Sequence, residues 1–173
     1  MASKKPVSRK TRRRKPIVMW INYLDLLPGD PSVTTSFNVV SSGVGSGLSG
    51  LVIQSSTTGA IAQGGGGKGL ETGLEIPPGF LIKGVRVCYE LSNARSFISQ
   101  IRLSQLQNPP STALVLLDDP TDLIAPGPVC VNSKSTTVDP SAGAVRLNFF
   151  VNFGNTGDKI VIRGVGLSLA KVP

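Results

Sequence analysis

The residues with the most distinctive chemistry lie in a basic run near the start of the chain. Residues 4–15 contain no acidic residue and eight cations: Lys4, Lys5, Arg9, Lys10, Arg12, Arg13, Arg14 and Lys15. Such a charge density binds polyanions, because neutralising phosphate groups releases their condensed counterions. No aromatic residue interrupts the run, so contacts would go to phosphates rather than to bases. These eight side chains are the predicted nucleic-acid-binding residues.

The basic run is also compatible with a nuclear-import address or a solubilising tail, because both use the same density of charge. The run has too few apolar residues to fold alone, so residues 1–15 are expected to form a disordered arm. The remaining ten basic residues balance all ten acidic residues of the chain, so the net charge of +8 belongs to the arm.

The rest of the chain gives little support for catalysis. It contains no histidine, which excludes Ser–His and Cys–His nucleophile pairs and imidazole metal sites. The carboxylates gather only at Asp118, Asp119 and Asp122, where two interpretations stay open: a calcium site at a subunit contact, or a turn formed by Asp-Asp-Pro. The sequence predicts a protein that is not an enzyme, with no cofactor and no assigned metal ligand.

Two glycine-rich stretches resemble phosphate-binding loops without meeting their requirements. Gly45, Gly47 and Gly50 match the G-x-G-x-x-G spacing, but the residues that follow favour a strand where a dinucleotide site needs a helix. Residues 64–69 (GGGGKG) lack the first glycine and the Ser/Thr of a phosphate loop. Neither stretch is assigned a ligand.

Strand patterns separated by Gly/Pro-rich turns cover the chain after residue 32. The predicted strands are residues 33–40, 51–54, 80–91, 96–106, 113–117, 129–132, 145–153 and 159–169. The clearest one alternates apolar residues such as Phe149 with polar residues such as Asn148, the period of a half-buried strand. Residues 154–158 (GNTGD) predict a hairpin turn between the last two strands. With no amphipathic helix, the pattern predicts an all-β fold, a single eight-stranded antiparallel jelly-roll sandwich over residues 16–173.

The two cysteines and the segment after the arm give information on the cellular location of the protein. Cys88 and Cys130 lie in apolar, strand-like segments and are interpreted as reduced core thiols, with a disulfide as the alternative. The apolar run of residues 17–21 is too short for a signal-peptide core or a membrane span. We therefore expect an intracellular protein with no membrane partner.

A basic arm followed by a neutral domain of about eight strands resembles the coat proteins of small icosahedral viruses and satellite viruses. The resemblance implies a capsid protein that self-assembles as an icosahedral homo-oligomer and packages genomic nucleic acid, single-stranded RNA, on residues 4–15. It also implies a virion location, with host cytoplasm during assembly and possible nuclear entry. Two other classes stay open: a host nucleic-acid-binding β-barrel protein with a basic tail, and a carbohydrate-binding jelly-roll module.

Overall fold

The computed structural model describes residues 17–37, 50–107 and 112–172. These residues form eleven strands: β1 (Ile17–Ile21), β2 (Leu27–Pro28), β3 (Val33–Phe37), β4 (Leu51–Ser55), β5 (Gly69–Leu74), β6 (Phe80–Leu91), β7 (Phe97–Leu106), β8 (Ala113–Asp119), β9 (Val129–Asn132), β10 (Val145–Asn152) and β11 (Ile160–Lys171). Two short 3₁₀ turns, Tyr23–Asp25 and Pro140–Ala142, complete the regular structure of this part of the chain. None of its helices is long and apolar enough to cross a lipid bilayer.

The strands form two antiparallel sheets packed face to face. The six-stranded sheet has the order β3-β4-β11-β6-β9, and β1 pairs with β11 along the edge that β4 also uses. The five-stranded sheet has the order β2-β5-β10-β7-β8. From β4 to β7 the chain alternates between the two sheets, as in a jelly roll. The predicted all-β jelly-roll sandwich is therefore confirmed.

Three strands were not among the eight that were predicted. β5 contains two glycines and β2 contains a proline, while the apolar residues 16–27, which include β1, allowed either an irregular strand or one helical turn. Glycine and proline weaken a strand, so such segments become strands through tertiary pairing. All six residues of β5 pair with residues of β10.

The predicted hairpin between the last two long strands is wrong. β10 pairs with β5 and β7, whereas β11 lies in the other sheet. Residues 154–158 therefore cross from one sheet to the other. Asp158 anchors this crossing: its carboxylate accepts hydrogen bonds from Arg95 Nε at 2.8 Å and from Ser96 Oγ at 2.6 Å. Alternation identifies the buried face of a strand, but not whether the next strand lies beside it or across the core.

The core lies between the sheets. β10 follows the predicted alternation, with Phe149 fully buried and Asn148 half-buried. In β7, strict alternation would place Phe97 on the same face as the buried Ile101 and Leu103. The register of β7 with β10 shifts between Phe150 and Val151, so Ile98 rather than Phe97 is fully buried. A β-bulge of this kind adds one residue to a strand, so that the set of alternate residues pointing into the core changes at the bulge. The sequence gives no clear signal of it.

The cysteines form a disulfide, and the prediction of reduced core thiols is wrong. Cys88 on β6 lies directly opposite Cys130 on β9, and the two sulfur atoms are bonded. Cys88 lies on the outer face of the six-stranded sheet, since Val87 and Tyr89 on either side of it face the core, and Cys130 lies opposite it on the same face. The bond ties the short edge strand β9 to the centre of the sheet.

Candidate functional site

Between the exposed apolar residues Leu27 on β2 and Val115 on β8, the outer surface of the five-stranded sheet carries a group of mainly polar side chains, which we call the polar face. It consists of Glu71 on β5, Gln100 and Arg102 on β7, Asp118 on β8, and Arg146, Asn148 and Phe150 on β10. The alternation of β10 places its members there, because Leu147 and Phe149 point into the core. The core thus holds the backbone from which these side chains project.

One row of the polar face crosses four strands in register. Asn148 is opposite Glu71 on one side and opposite Arg102 on the other. Arg102 is in turn opposite Asp118. The row therefore presents a carboxylate, an amide, a guanidinium and a second carboxylate in sequence. Neighbouring strands are about 4.8 Å apart, so its groups repeat at about that spacing.

The polar side chains hold one another in place. Glu71 accepts hydrogen bonds from Arg146 Nη1 at 3.0 Å and from the amide of Asn148. Asp118 accepts from Arg102 Nε at 3.3 Å and from the amide of Gln100. The two ion pairs are also open to solvent, with side-chain exposure between 32% and 50%. The groups are thus oriented and still accessible to a ligand.

Phe150 adds an aromatic surface beside this row. The Arg102 guanidinium carbon lies 5.1 Å from the centre of the Phe150 ring, a cation–π distance. The ring also lies against the backbone just before and at the start of β5, where a Cβ on Gly67 would approach it to 2.5 Å and one on Gly69 to 3.4 Å. The glycine-rich stretch of residues 64–69 therefore accommodates an aromatic ring at Gly67 and Gly69.

Lys68, in the same stretch, is buried and held by protein atoms. Its ammonium donates to Ser55 Oγ at 3.1 Å and to the carbonyls of Thr57 at 2.6 Å and Thr58 at 3.1 Å. These three acceptors match the three donors of an ammonium. Burial lowers the pKa of Lys68, partly opposed by the charge of Asp30. Lys68 is therefore a structural cation and does not point toward a phosphate ligand.

The structure separates the three acidic residues that the sequence brings together. Asp118 belongs to the polar face, and Asp122 is exposed. Asp119 is buried, accepting hydrogen bonds from Thr121 Oγ1 at 2.7 Å and from the Lys134 backbone at 2.7 Å. Although burial opposes it, these hydrogen bonds hold the pKa of Asp119 below its usual value. Within residues 17–37, 50–107 and 112–172, no group of three or more Cys, Asp or Glu side chains could hold a metal ion.

The remaining predicted sites fall largely beyond the described ranges. This applies to all eight predicted nucleic-acid-binding residues, Lys4, Lys5, Arg9, Lys10, Arg12, Arg13, Arg14 and Lys15. Gly45 and Gly47 also lie outside, while Gly50 directly precedes β4, so a strand follows this motif. The polar face was not identified from the sequence. Its members were recognisable only as the outward halves of alternating strands, and their assembly depends on strand order and register.

Comparison with known proteins relates the chain to others through its fold. No family model and no curated protein sequence matches it. Among solved structures, the CBM22-1–GH10 modules of Clostridium thermocellum xylanase 10B, complexed with xylohexaose, match 91% of this chain at 10% identity, with a TM-score of 0.56. A structure of carbohydrate-binding modules from the β-sandwich superfamily matches 87% at 13% identity, with a TM-score of 0.52. The C-terminal family 22 carbohydrate-binding module of the Clostridium xylanase matches 88% at 10% identity, with a TM-score of 0.51.

The extent of these matches differs between the structures. This chain covers 29% of the first and 58% of the second, but 91% of the third, which is a single module. At 10–13% identity the likeness is one of fold.

The predicted resemblance to viral coat proteins is corrected by these comparisons. These three structures contain carbohydrate-binding modules and are not capsid proteins. The partners drawn from that resemblance, an icosahedral homo-oligomer and a packaged single-stranded RNA genome, are withdrawn with it. The error arose because a jelly roll with short strands serves many unrelated functions, and strand counting does not distinguish among them.

Proposed function

We propose that this chain is a non-catalytic carbohydrate-binding module and that its polar face binds the carbohydrate. The observation that carries the proposal is the register-aligned row from Glu71 through Asn148 and Arg102 to Asp118. The fold supports it, since the similar structures are carbohydrate-binding modules. Fold alone does not assign function, so the chemistry of the face has to support the same conclusion.

The groups of the polar face match the chemistry of a saccharide. A sugar hydroxyl both donates and accepts hydrogen bonds, so it pairs with a carboxylate and with an amide or guanidinium. Glu71 and Asp118 supply acceptors, while Arg102 and Asn148 supply donors beside them.

The charge of the face favours a neutral glycan. Its two carboxylates are paired with two guanidinium groups, so it presents no net charge that would require an ionic ligand. Its row crosses four strands, which suits an extended oligosaccharide better than a single sugar. Xylohexaose is the ligand in one similar structure and is the first ligand to test.

Two further features support the proposal: one concerns the absence of catalysis, and the other favours a location outside the cytosol in place of the intracellular location expected from the sequence. The chain has no histidine, and the carboxylates of the polar face are engaged by guanidinium and amide groups rather than poised as an acid and base pair. The Cys88–Cys130 disulfide belongs to a class of bond that forms and persists in oxidising compartments.

The test is calorimetric titration of the full chain with xylohexaose, cellohexaose and mannohexaose. We expect saturable binding of at least one of them, and Arg102→Ala should weaken it about tenfold or more, because a hydrogen bond to a charged group contributes roughly 1.5–3 kcal/mol. The matched control is Arg86→Ala, which removes a half-buried arginine from the other sheet. Equal affinity in wild type and Arg102→Ala, or no binding of any glycan in a broad array, would overturn the proposal.

A further inference from the structure

Arg86 on β6 is the one arginine in the described ranges whose side chain makes no ion pair or hydrogen bond. It is half-buried, and it lies on the outer face of the six-stranded sheet, since Val85 and Val87 on either side of it face the core. Because a guanidinium group stays protonated in proteins, Arg86 holds an unmatched positive charge against the sheet. The other four arginines of these ranges each pair with a carboxylate: Arg95 with Asp158, Arg102 with Asp118, Arg146 with Glu71, and Arg163 with Glu90.

The strand register places Arg86 in one row with Trp20. Trp20 on β1 is opposite Gly166 on β11, and Gly166 is opposite Arg86. On its other side, Arg86 is opposite Asn132 on β9. Neighbouring strands are about 4.8 Å apart, so the backbones at Trp20 and Arg86 are about 10 Å apart. Gly166 puts no side chain between them, and no member of the row carries a charge that would neutralise Arg86.

The Trp20 ring forms one wall of a hollow beside this row. A Cβ on Gly164 would approach the ring to 3.2 Å, as would one on Gly166, so the indole lies close over the bare backbone of β11. The hollow has a volume of about 350 Å³, and its lining includes Trp20, Cys88 and Gly164. Cys88 is two residues from Arg86 on the same face of β6, about 7 Å along the strand. The hollow thus has an aromatic wall and an unmatched cation nearby.

We propose that this surface binds a small aromatic carboxylate, with its ring in the hollow against Trp20 and its carboxylate on Arg86. A guanidinium and a carboxylate form two parallel hydrogen bonds, which fixes the position of the anion. Aromatic rings pair favourably when they stack with an offset or meet edge to face. A cavity of about 150 Å³ already holds a benzene ring, so this hollow accommodates one ring with its substituents. The site goes beyond glycan binding, because the polar face belongs to the other sheet.

Charge and shape favour this ligand over two others. A neutral aromatic molecule would fill the hollow but would leave the charge of Arg86 unmatched. A nucleotide would bring a phosphate with a charge of about −1.5 to −2 to a single unpaired guanidinium, and it would bring a sugar as well as a base. An aromatic monocarboxylate brings one ring and one negative charge, which match one hollow and one cation.

The experiment is a titration of the isotope-labelled full chain with benzoate and with 3-phenylpropionate, in which the amide and indole N–H chemical shifts are recorded. Trp20 is the sole tryptophan, so one indole signal reports on the hollow. We expect saturable shifts of this signal and of the amides of Arg86, Cys88 and Gly164. Acetate carries the charge without the ring, and benzyl alcohol carries the ring without the charge. Each should bind about tenfold more weakly than benzoate.

Variants test the two contacts separately. Arg86→Gln should weaken benzoate binding about tenfold or more, because it removes a charge-assisted pair, and Arg86→Lys should restore part of the affinity, since it keeps the charge without the planar fork. The control Lys159→Gln removes another half-buried cation, just before β11, and should have no effect. Gly164→Ala places a methyl group against Trp20 and should weaken binding about tenfold by excluding the ring. Its control is Gly73→Ala, where a Cβ meets nothing within 4 Å. Far-ultraviolet circular dichroism verifies that each variant folds.

Three results would overturn the proposal. The first is the absence of any shift in the Trp20 indole signal with either aromatic carboxylate. The second is equal binding of benzoate and benzyl alcohol, or equal affinity in wild type and Arg86→Gln, since either would mean that Arg86 takes no part. The third is tighter binding of adenosine monophosphate than of benzoate, which would identify a nucleotide as the ligand. Loss of glycan binding alone would leave this proposal standing, because the two surfaces lie on opposite sheets.

Discussion

Phe149 and Asn148 are adjacent on β10 and experience opposite environments. Phe149 is completely buried between the sheets, while Asn148 lies half-buried on the polar face and donates to Glu71. The contrast follows from strand geometry, since successive side chains point to opposite faces. One strand thus supplies both the core and the candidate binding surface.

The stability of variants at these two positions should differ strongly. Phe149→Ala removes a buried ring and should lower the free energy of unfolding by about 3–5 kcal/mol. Asn148→Ala should lower it by less than about 1 kcal/mol, because its hydrogen bond is open to solvent. Urea denaturation of both variants measures the difference. Similar small losses at both positions would mean that β10 does not present this face to the core.

Some residue roles could be predicted from the sequence and others could not. The burial of Phe149 and the outward position of Asn148 follow from alternation alone. The burial of Lys68 does not, because a lysine after four glycines suggests a solvent-exposed loop. Its position depends on carbonyls of Thr57 and Thr58, which sequence patterns do not place. The same applies to Arg102, whose carboxylate and aromatic partners come from other strands.

At the level of elements, the crossing between β10 and β11 determines how the sandwich is closed. It is the point where the sequence suggested a hairpin, and where the chain instead changes sheets. The buried Asp158 anchors this crossing, because its carboxylate accepts hydrogen bonds from Arg95 and Ser96 in the segment that leads into β7. The Arg95 hydrogen bonds hold the pKa of Asp158 below its ordinary value, against the opposing effect of burial.

This anchor should make stability depend on pH in a definite direction. A carboxyl with a depressed folded-state pKa stabilises the fold above its unfolded value, near 4, and that stability is lost as pH falls through the folded pKa. Acidification from about pH 5 to pH 3 should therefore lower the free energy of unfolding. In Asp158→Asn the group no longer titrates, so the fall should be shallower than in wild type. An unchanged slope in Asp158→Asn, measured by urea denaturation across this range, would contradict the assigned role.

At the level of the whole molecule, the strand pattern predicted the fold class but not the function. All eight predicted strands are present, because their apolar alternation and turn residues are local signals. The polar face was missed because it depends on β5 lying beside β10 and β10 beside β7, which is a non-local property. The basic run led toward a genome-binding shell, although it is compatible with any anionic partner. The role of residues 4–15 stays a prediction.

The central claim is that the polar face of the five-stranded sheet binds a glycan. The most direct measurement is a titration of isotope-labelled protein with xylohexaose and other oligosaccharides, in which the amide chemical shifts are recorded at each step. Binding should perturb amides of β5, β7 and β10 around Glu71, Arg102 and Asn148, and leave β1, β6 and β9 unchanged. A ligand that perturbs only the six-stranded sheet, or the absence of any perturbation across a glycan panel, would contradict the account.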